Sequence, residues 1–371
     1  MHYCSHRRLF LNTRIHYLDG MRGWAALSVL FFHIFWESFG ARFPAFRDPV
    51  FNFTFHGRLA VYVFFILSGD ALISPYLKSK DVGIIQQTSL KRYIRLTVPI
   101  LLSCLLGFGV MKMGINHNVA ASQILHREDW LGMFMQFNAS LPDLISQALY
   151  GVYFNFSKYD SYNPFLWTMS LEMLGSLMVF IFALQVNTLK KPALTAAAIA
   201  GLLFLAKSYY ALFFVGICFA LLRSSGVFER LQQSGLCMAV SWLLIALVVY
   251  SCFRSESIAT DGHRTNLLRS IALVGAIHCN PLAITALSSR LSRFLGRVSF
   301  PLYLVHFSVL TSLTSYLVVQ ADKSGLLDAS HALGIGLFTI AFCLLAADLF
   351  SRAETRLLKF AYKGLGYLQR A

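Results

Sequence analysis

His33 stands eleven residues after Arg22, and Glu37 follows four residues later. A helix rises 1.5 Å per residue at 3.6 residues per turn, so Arg22 and His33 share a face about 16 Å apart, and Glu37 extends it. A guanidinium at one end of such a row can hold an anion, and an imidazole at the other can act as general base. The competing reading is structural: Arg22 snorkels to lipid headgroups and His33 bonds a neighbouring helix.

Four further places carry residues capable of chemistry. Arg92 and Arg95, in Lys91-Arg92-Tyr93-Ile94-Arg95, set two guanidinium forks on one helix face. That pairing suits phosphate, although basic flanks of this kind also arise from membrane topology alone. Phe64-Phe65-Ile66-Leu67-Ser68-Gly69-Asp70 offers a hydroxyl, a glycine for close backbone approach and a carboxylate that could pair with Arg22 or Arg95. Trp167-Thr168-Met169-Ser170-Leu171-Glu172 supplies a carboxylate that could orient His33, bind substrate hydroxyls or neutralise a buried arginine. Leu302-Tyr303-Leu304-Val305-His306 ends on a second histidine, expected to make an interhelical hydrogen bond, with direct chemistry as the alternative.

The elements that must position these residues follow from composition. The chain has 371 residues, 57% hydrophobic and 13% charged, with mean hydropathy +0.60. That is roughly half the charge density of an average soluble domain, which argues against a water-soluble fold. A bilayer crossing takes about 20 apolar residues. Stretches near that length recur at about ten places: 21–38, 57–77, 94–113, 164–186, 192–206, 208–223, 235–253, 266–286, 299–319 and 331–350. The fold class expected is all-α and polytopic. Only Lys207, Ser208 and two tyrosines interrupt 192–223, which is counted as two crossings.

Lys and Arg collect in cytoplasmic loops. Ten crossings with both termini cytoplasmic place Arg7, Arg8, Arg14 and Arg22 in the first inside segment, Lys78, Lys80, Lys91, Arg92 and Arg95 in the next, and Arg352 through Arg370 in the last. A nine-helix count spoils this asymmetry. The net charge of +15 is spread over every inside loop. Its counter-charge is expected to be anionic membrane lipid and not nucleic acid. The seven cysteines show no metal-ligand spacing, and no metal site is expected. The basic N-terminus followed by a long apolar segment reads as an uncleaved first helix.

One domain is expected over 1–371, with 114–163 as the long stretch outside the helices, on the extracytoplasmic face. It contains Asp129, Trp130, Leu131, Met133, Phe134 and Phe137, suited either to an amphipathic helix at the interface or to an ordered lid. No internal repeat is evident, which counts against an inverted-repeat transporter. The short tail after the last stretch leaves no appended soluble domain expected.

Taken in order, Leu18-Asp19-Gly20-Met21-Arg22-Gly23 with His33, Phe64 through Gly69, Arg92 with Arg95, Trp167 through Glu172, and Leu295 through His306 resemble the membrane acyltransferase family 3. That family includes bacterial O-antigen acetylases and Nod-factor acetyltransferases, and the resemblance covers nearly the whole chain. It implies transfer of an acyl group, usually acetyl, from cytoplasmic acyl-CoA to a hydroxyl of a sugar, glycan or glycolipid. Acyl-CoA is then a co-substrate, with no bound cofactor, and the location a bacterial inner membrane or plasma membrane. By the same resemblance His33 matches the family's essential histidine, and Arg22, Arg92 and Arg95 its essential arginines. Glu37 and Glu172 stand as carboxylates that could fix the tautomer of His33, and Asp19, Ser68, Asp70 and His306 as supporting residues. The chain departs from the family where Asp70 replaces an apolar residue, and in lacking the hydrolase-like domain fused to some O-antigen acetylases.

Three arginines on one side of the membrane would dock CoA phosphates, and a pantetheine arm of about 15 to 20 Å would reach towards His33. His33 would deprotonate an acceptor hydroxyl or carry the acyl group itself. Two other classes compete: a transporter or flippase of a glycan or lipid-linked sugar, with these residues lining an ion path, and a non-catalytic receptor. The sequence sets neither the acceptor nor the oligomeric state.

Overall fold

Apolar runs of this length can satisfy their backbone hydrogen bonds inside a bilayer only as helices. In the computed structural model no β-strand occurs among the described residues, which are 15–368 apart from 256, 257, 259 and 260. Arg7, Arg8, Arg14 and Arg370 of the charge argument lie outside them. In chain order the principal helices are α1 (His16–Phe31), α2 (Gly57–Ser79), α3 (Val82–Lys112), α4 (Thr168–Gln185), α5 (Pro192–Leu205), α6 (Tyr210–Ser224), α7 (Gly235–Phe253), α8 (His263–His278), α9 (Arg290–Val309) and α10 (Ala329–Leu368).

Six of the helical stretches are long and apolar enough to cross a membrane, or seven if α8 and the following helix Pro281–Leu287, bent by 96°, form one span. The ten stretches expected from sequence therefore do not all become full-length spans. Helices α5 and α6 have 14 and 15 residues, each short of the roughly 20 that cover the hydrocarbon core. A left-handed backbone at Lys207 (φ 55°) separates them. The first stretch begins earlier than expected, at His16, and α1 continues directly as a π-helical segment, Phe32–Phe39.

The outer faces stay apolar. Along α7, Leu236, Leu243, Leu247 and Tyr250 are all exposed, the arrangement that lipid contact requires and water opposes. This is a multi-pass membrane protein. Inside, one apolar core gathers parts of α1, α3, α9 and α10, and a second gathers α2, α4, α6 and α8 with the other face of α1.

Glycines set the closest helix approaches, since lipid offers no hydrophobic drive between helices and contact must come from packing. A Cβ on Gly23 of α1 would meet the backbone of Leu295 and Gly296 on α9 at 2.5 Å. A Cβ on Gly216 of α6 would meet the Asp70 amide nitrogen of α2 at 2.7 Å. The long segment 114–163 folds into short helices, including Asn118–Leu125 and Leu141–Ser146, and buries Leu131, Phe134, Leu144 and Tyr162. It packs as an ordered layer against α1 and α9.

A polar clamp joins the start of α2 to α7 and α8. Asp261 meets His56 Nε2 at 2.9 Å, Arg269 Nη1 at 2.5 Å and Ser255 Oγ at 2.9 Å. Arg269 also donates to the Ser251 carbonyl at 2.6 Å. Burial by itself would raise the Asp261 carboxyl, but hydrogen bonds from His56, Ser255 and Arg269 and the charge of Arg269 outweigh it and hold the group down to about 2.

Candidate active site

His33 lies ten residues beyond Gly23, and His306 ten residues beyond Gly296. With α1 and α9 side by side at those glycines, equal spacing brings the two imidazoles level: His33 Nδ1 is 3.0 Å from His306 Nε2. The opposite nitrogen of His306, Nδ1, is 3.0 Å from the Leu302 carbonyl oxygen. A carbonyl can only accept, so His306 Nδ1 carries a proton. No carboxylate contacts either ring among the described residues, so His306 is taken as neutral, its Nε2 accepts, and His33 Nδ1 donates. That leaves the lone pair of His33 on Nε2. This nitrogen has no hydrogen-bond partner among the described residues and is not an enclosed, unpartnered atom.

Aromatic rings fix the plane of His33. Phe165 stacks on it at 4.0 Å and 3°, and Trp130, from the 114–163 layer, at 5.8 Å and 22°. Phe165 is itself held by α9: Tyr303, three residues before His306, donates to the Phe165 carbonyl and bonds the Thr168 hydroxyl at 2.9 Å. His33 sits in the π-helical segment Phe32–Phe39, and a second one, Leu310–Thr314, follows α9 just past His306. Such widened turns recur at functional sites.

The arginines converge at the other end of the row. Arg92 on α3 donates to Glu172 Oε2 at 2.6 Å and to Ser176 Oγ at 2.8 Å, both on α4. Ser68 on α2 donates to Glu172 Oε1 at 2.7 Å. Arg22 donates to the Leu67 carbonyl at 3.0 Å and lies in electrostatic range of Glu172 and Arg95. Arg95 is exposed. Four helices thus build one cationic cluster around the carboxylate of Glu172.

Several sequence expectations are corrected by these pairings. Glu172 does not contact His33, because Arg92 and Ser68 take its two oxygens. Glu37 does not either: Arg127 of the 114–163 layer binds it at 2.7 Å, and Asp129 lies 3.5 Å from the same guanidinium. The partner of His33 is His306. Asp70 pairs with neither Arg22 nor Arg95. The α2–α6 crossing at Gly69 and Gly216 delivers Arg223 to it instead, with Nη1 donating at 2.6 Å and Nη2 to the second oxygen, while Ser74 accepts from Nη2 at 2.8 Å. Asp19 lines a cavity with His16, Arg290, Arg293, Phe294 and Arg297, and its charge also reaches Arg22. No group of three or more metal-ligating side chains occurs among the described residues.

Residues 15–348 match the family described as an acyltransferase domain, 3 by number. The chain belongs to acyltransferase family 3. No curated protein and no solved structure matches it.

For a member of this family the geometry divides into two ends on α1, separated by eleven residues, about 16 Å of helix: a cationic end at Arg22 and a basic nitrogen at His33. Sequence reasoning passed over Arg127, Phe165, Tyr303 and Arg223 as partners. The spacing shared by the Gly23–His33 and Gly296–His306 pairs was the signal for the histidine contact. Arg127 stands three residues before Trp130, the spacing of a cation over a ring, and it lies 5.7 Å from the Trp130 centroid.

Proposed function

We propose that the protein is a membrane-bound O-acyltransferase that moves an acyl group, acetyl by family resemblance, from cytoplasmic acyl-CoA to a hydroxyl of a sugar, glycan or glycolipid. One observation carries this reading: a histidine whose Nδ1 is tied to a second histidine while Nε2 stays open, in line with a buried arginine cluster at the reach of a pantetheine arm. His33 Nε2 takes the proton of the acceptor hydroxyl, the oxygen attacks the thioester carbonyl carbon, and the C–S bond breaks. The sulfur leaves as a thiolate that takes up a proton, with the His33 imidazolium as donor. Transient acylation of Nε2 before transfer to the acceptor uses the same free nitrogen.

In this reading the chain crosses a bacterial inner membrane or plasma membrane about ten times, α5 and α6 being short crossings packed against longer helices, with both termini and the arginine cluster cytoplasmic. The outer layer 114–163 then faces the acceptor. The Trp130 ring beside His33 and the exposed Lys158, whose charge reaches His33, suit a sugar ring and an anionic substituent.

The test is release of CoA thiol by the purified protein in lipid, with and without sugar acceptors. His33→Ala is expected to abolish release while insertion and folding persist. Full activity in that variant would sink the proposal.

A further inference from the structure

At the same end of the bundle as Arg22, α1 and α9 border an open cavity of about 380 Å³ lined by His16, Asp19, Arg290, Arg293, Phe294 and Arg297. The three arginines stand at i, i+3 and i+7 of α9 and so share a face. Arg297 is already committed, 2.6 Å from Asp348. The guanidiniums of Arg290 and Arg293 make no hydrogen bond or ion pair among the described residues. The deeper cluster differs: Arg92 is consumed by Glu172, and Arg22 is bound to a carbonyl. The uncommitted cations at this end thus include two that face an open cavity, with a histidine beside them and one acid at the lining.

Distance ties the cavity to the histidine pair. Arg293 precedes His306 by 13 residues on one helix, about 20 Å of rise. That matches an extended pantetheine arm running from the phosphates to the thioester.

We propose that this cavity holds the phosphates of the acyl-CoA nucleotide, with Arg290 and Arg293 as the phosphate ligands, while Arg22, Arg92 and Arg95 line the way inwards. The proposal rests on the acyl-CoA reading above. The shared chemistry is a phosphate group, which a lipid headgroup could also supply, and the experiment separates the two sources.

The probe is adenosine 3′,5′-bisphosphate, the polar end of CoA without its arm, titrated onto the full-length protein in phosphatidylcholine nanodiscs and in nanodiscs containing phosphatidylglycerol. Arg290→Gln/Arg293→Gln is expected to weaken nucleotide binding by about tenfold or more in both lipids. It should also raise the acyl-CoA KM by a similar factor with kcat little changed, the mark of lost uniform binding. Both side chains are exposed, so folding should survive, and Arg290→Lys/Arg293→Lys should recover part of the affinity. Arg356→Gln, an exposed arginine elsewhere, controls for net charge. Wild-type nucleotide affinity in the double variant overturns the site while leaving the acyltransferase reading intact. So does a variant that loses only its response to phosphatidylglycerol, which makes the cavity a lipid site. A wild-type protein that binds no nucleotide and cleaves no acyl-CoA overturns both.

Discussion

His33 Nδ1 and His306 Nε2 face each other at 3.0 Å, and the second nitrogen of His306 is fixed on the Leu302 carbonyl. The backbone of α9 therefore dictates, through one imidazole, which nitrogen of the other keeps its lone pair. His306 is a positioning residue in this arrangement, and its effect should be separable from packing. His306→Ala is expected to lower kcat by about a hundredfold, the lower end of what general-base catalysis contributes, with the acyl-CoA KM unchanged. His306→Gln, which can still present an acceptor to Nδ1, should recover part of that loss. Equal rates in the alanine and wild-type proteins, read by thiol release, would remove His306 from the mechanism.

The Arg92–Glu172 pair is nearly enclosed, its side chains 13% and 12% exposed. Removing one partner strands a charge, which costs about 3–5 kcal/mol in buried pairs. Glu172→Leu should therefore lower the melting temperature sharply in a thiol-reactive unfolding assay. Arg92→Leu/Glu172→Leu should recover most of the stability but none of the acyl transfer. If the double variant transfers acyl groups normally, the pair is scaffold alone.

Gly23→Val forces α1 away from α9 at the Leu295–Gly296 contact. Because the histidines are level only when that seam closes, activity should fall more than tenfold in protein that still inserts and purifies as a folded species. Retained activity would show that the imidazoles meet without the glycine contact.

Trp130 stacks beside His33 from the outer layer. Trp130→Ala is expected to raise the acceptor KM by about tenfold, the worth of one stacked ring, and to leave the acyl-CoA KM alone. A change confined to the acyl-CoA KM would reverse the proposed sidedness of the site.

The clamp at Asp261 predicts acid sensitivity with a definite sign. Its carboxyl is held down to about 2 in the folded state, below the ordinary value of 3.8. The stabilisation is present above pH 4 and is lost as the pH falls from there towards 2, since the unfolded chain takes up its proton first. Asp261→Asn should lower stability near pH 7 and flatten that acid limb when melting temperature is followed from pH 6 to 2. An unchanged slope would show that other carboxyls govern it.

What the sequence disclosed was set by what periodicity and cost can encode. Long apolar runs announced helices, and the expense of burying Arg22, His33, Arg92, Glu172 and His306 flagged them as residues with a purpose. Pairing was harder to read. Glu37 and Glu172 are sensible partners for His33 along the chain, yet Arg127 and Arg92 reach them first, because guanidiniums from other helices compete for buried carboxylates across space. Nothing along the chain ties Arg223 to Asp70, because the α2–α6 crossing delivers it there across 153 residues of sequence. Span length was harder to read: Lys207 and Ser208 mark the break in 192–223, and two helices form on either side of it, but hydropathy does not show that each has only 14 or 15 residues.

The glycine seam between α1 and α9 has an evolutionary consequence. The register of the histidine pair is written into two adjoining helices, whereas Trp130 and Lys158 are laid against it from the separate segment 114–163. Under the proposed reaction, mutations in that segment retune which acceptor is taken without unsettling the histidine pair. A lineage with that reaction could change its acceptor while inheriting one unaltered engine.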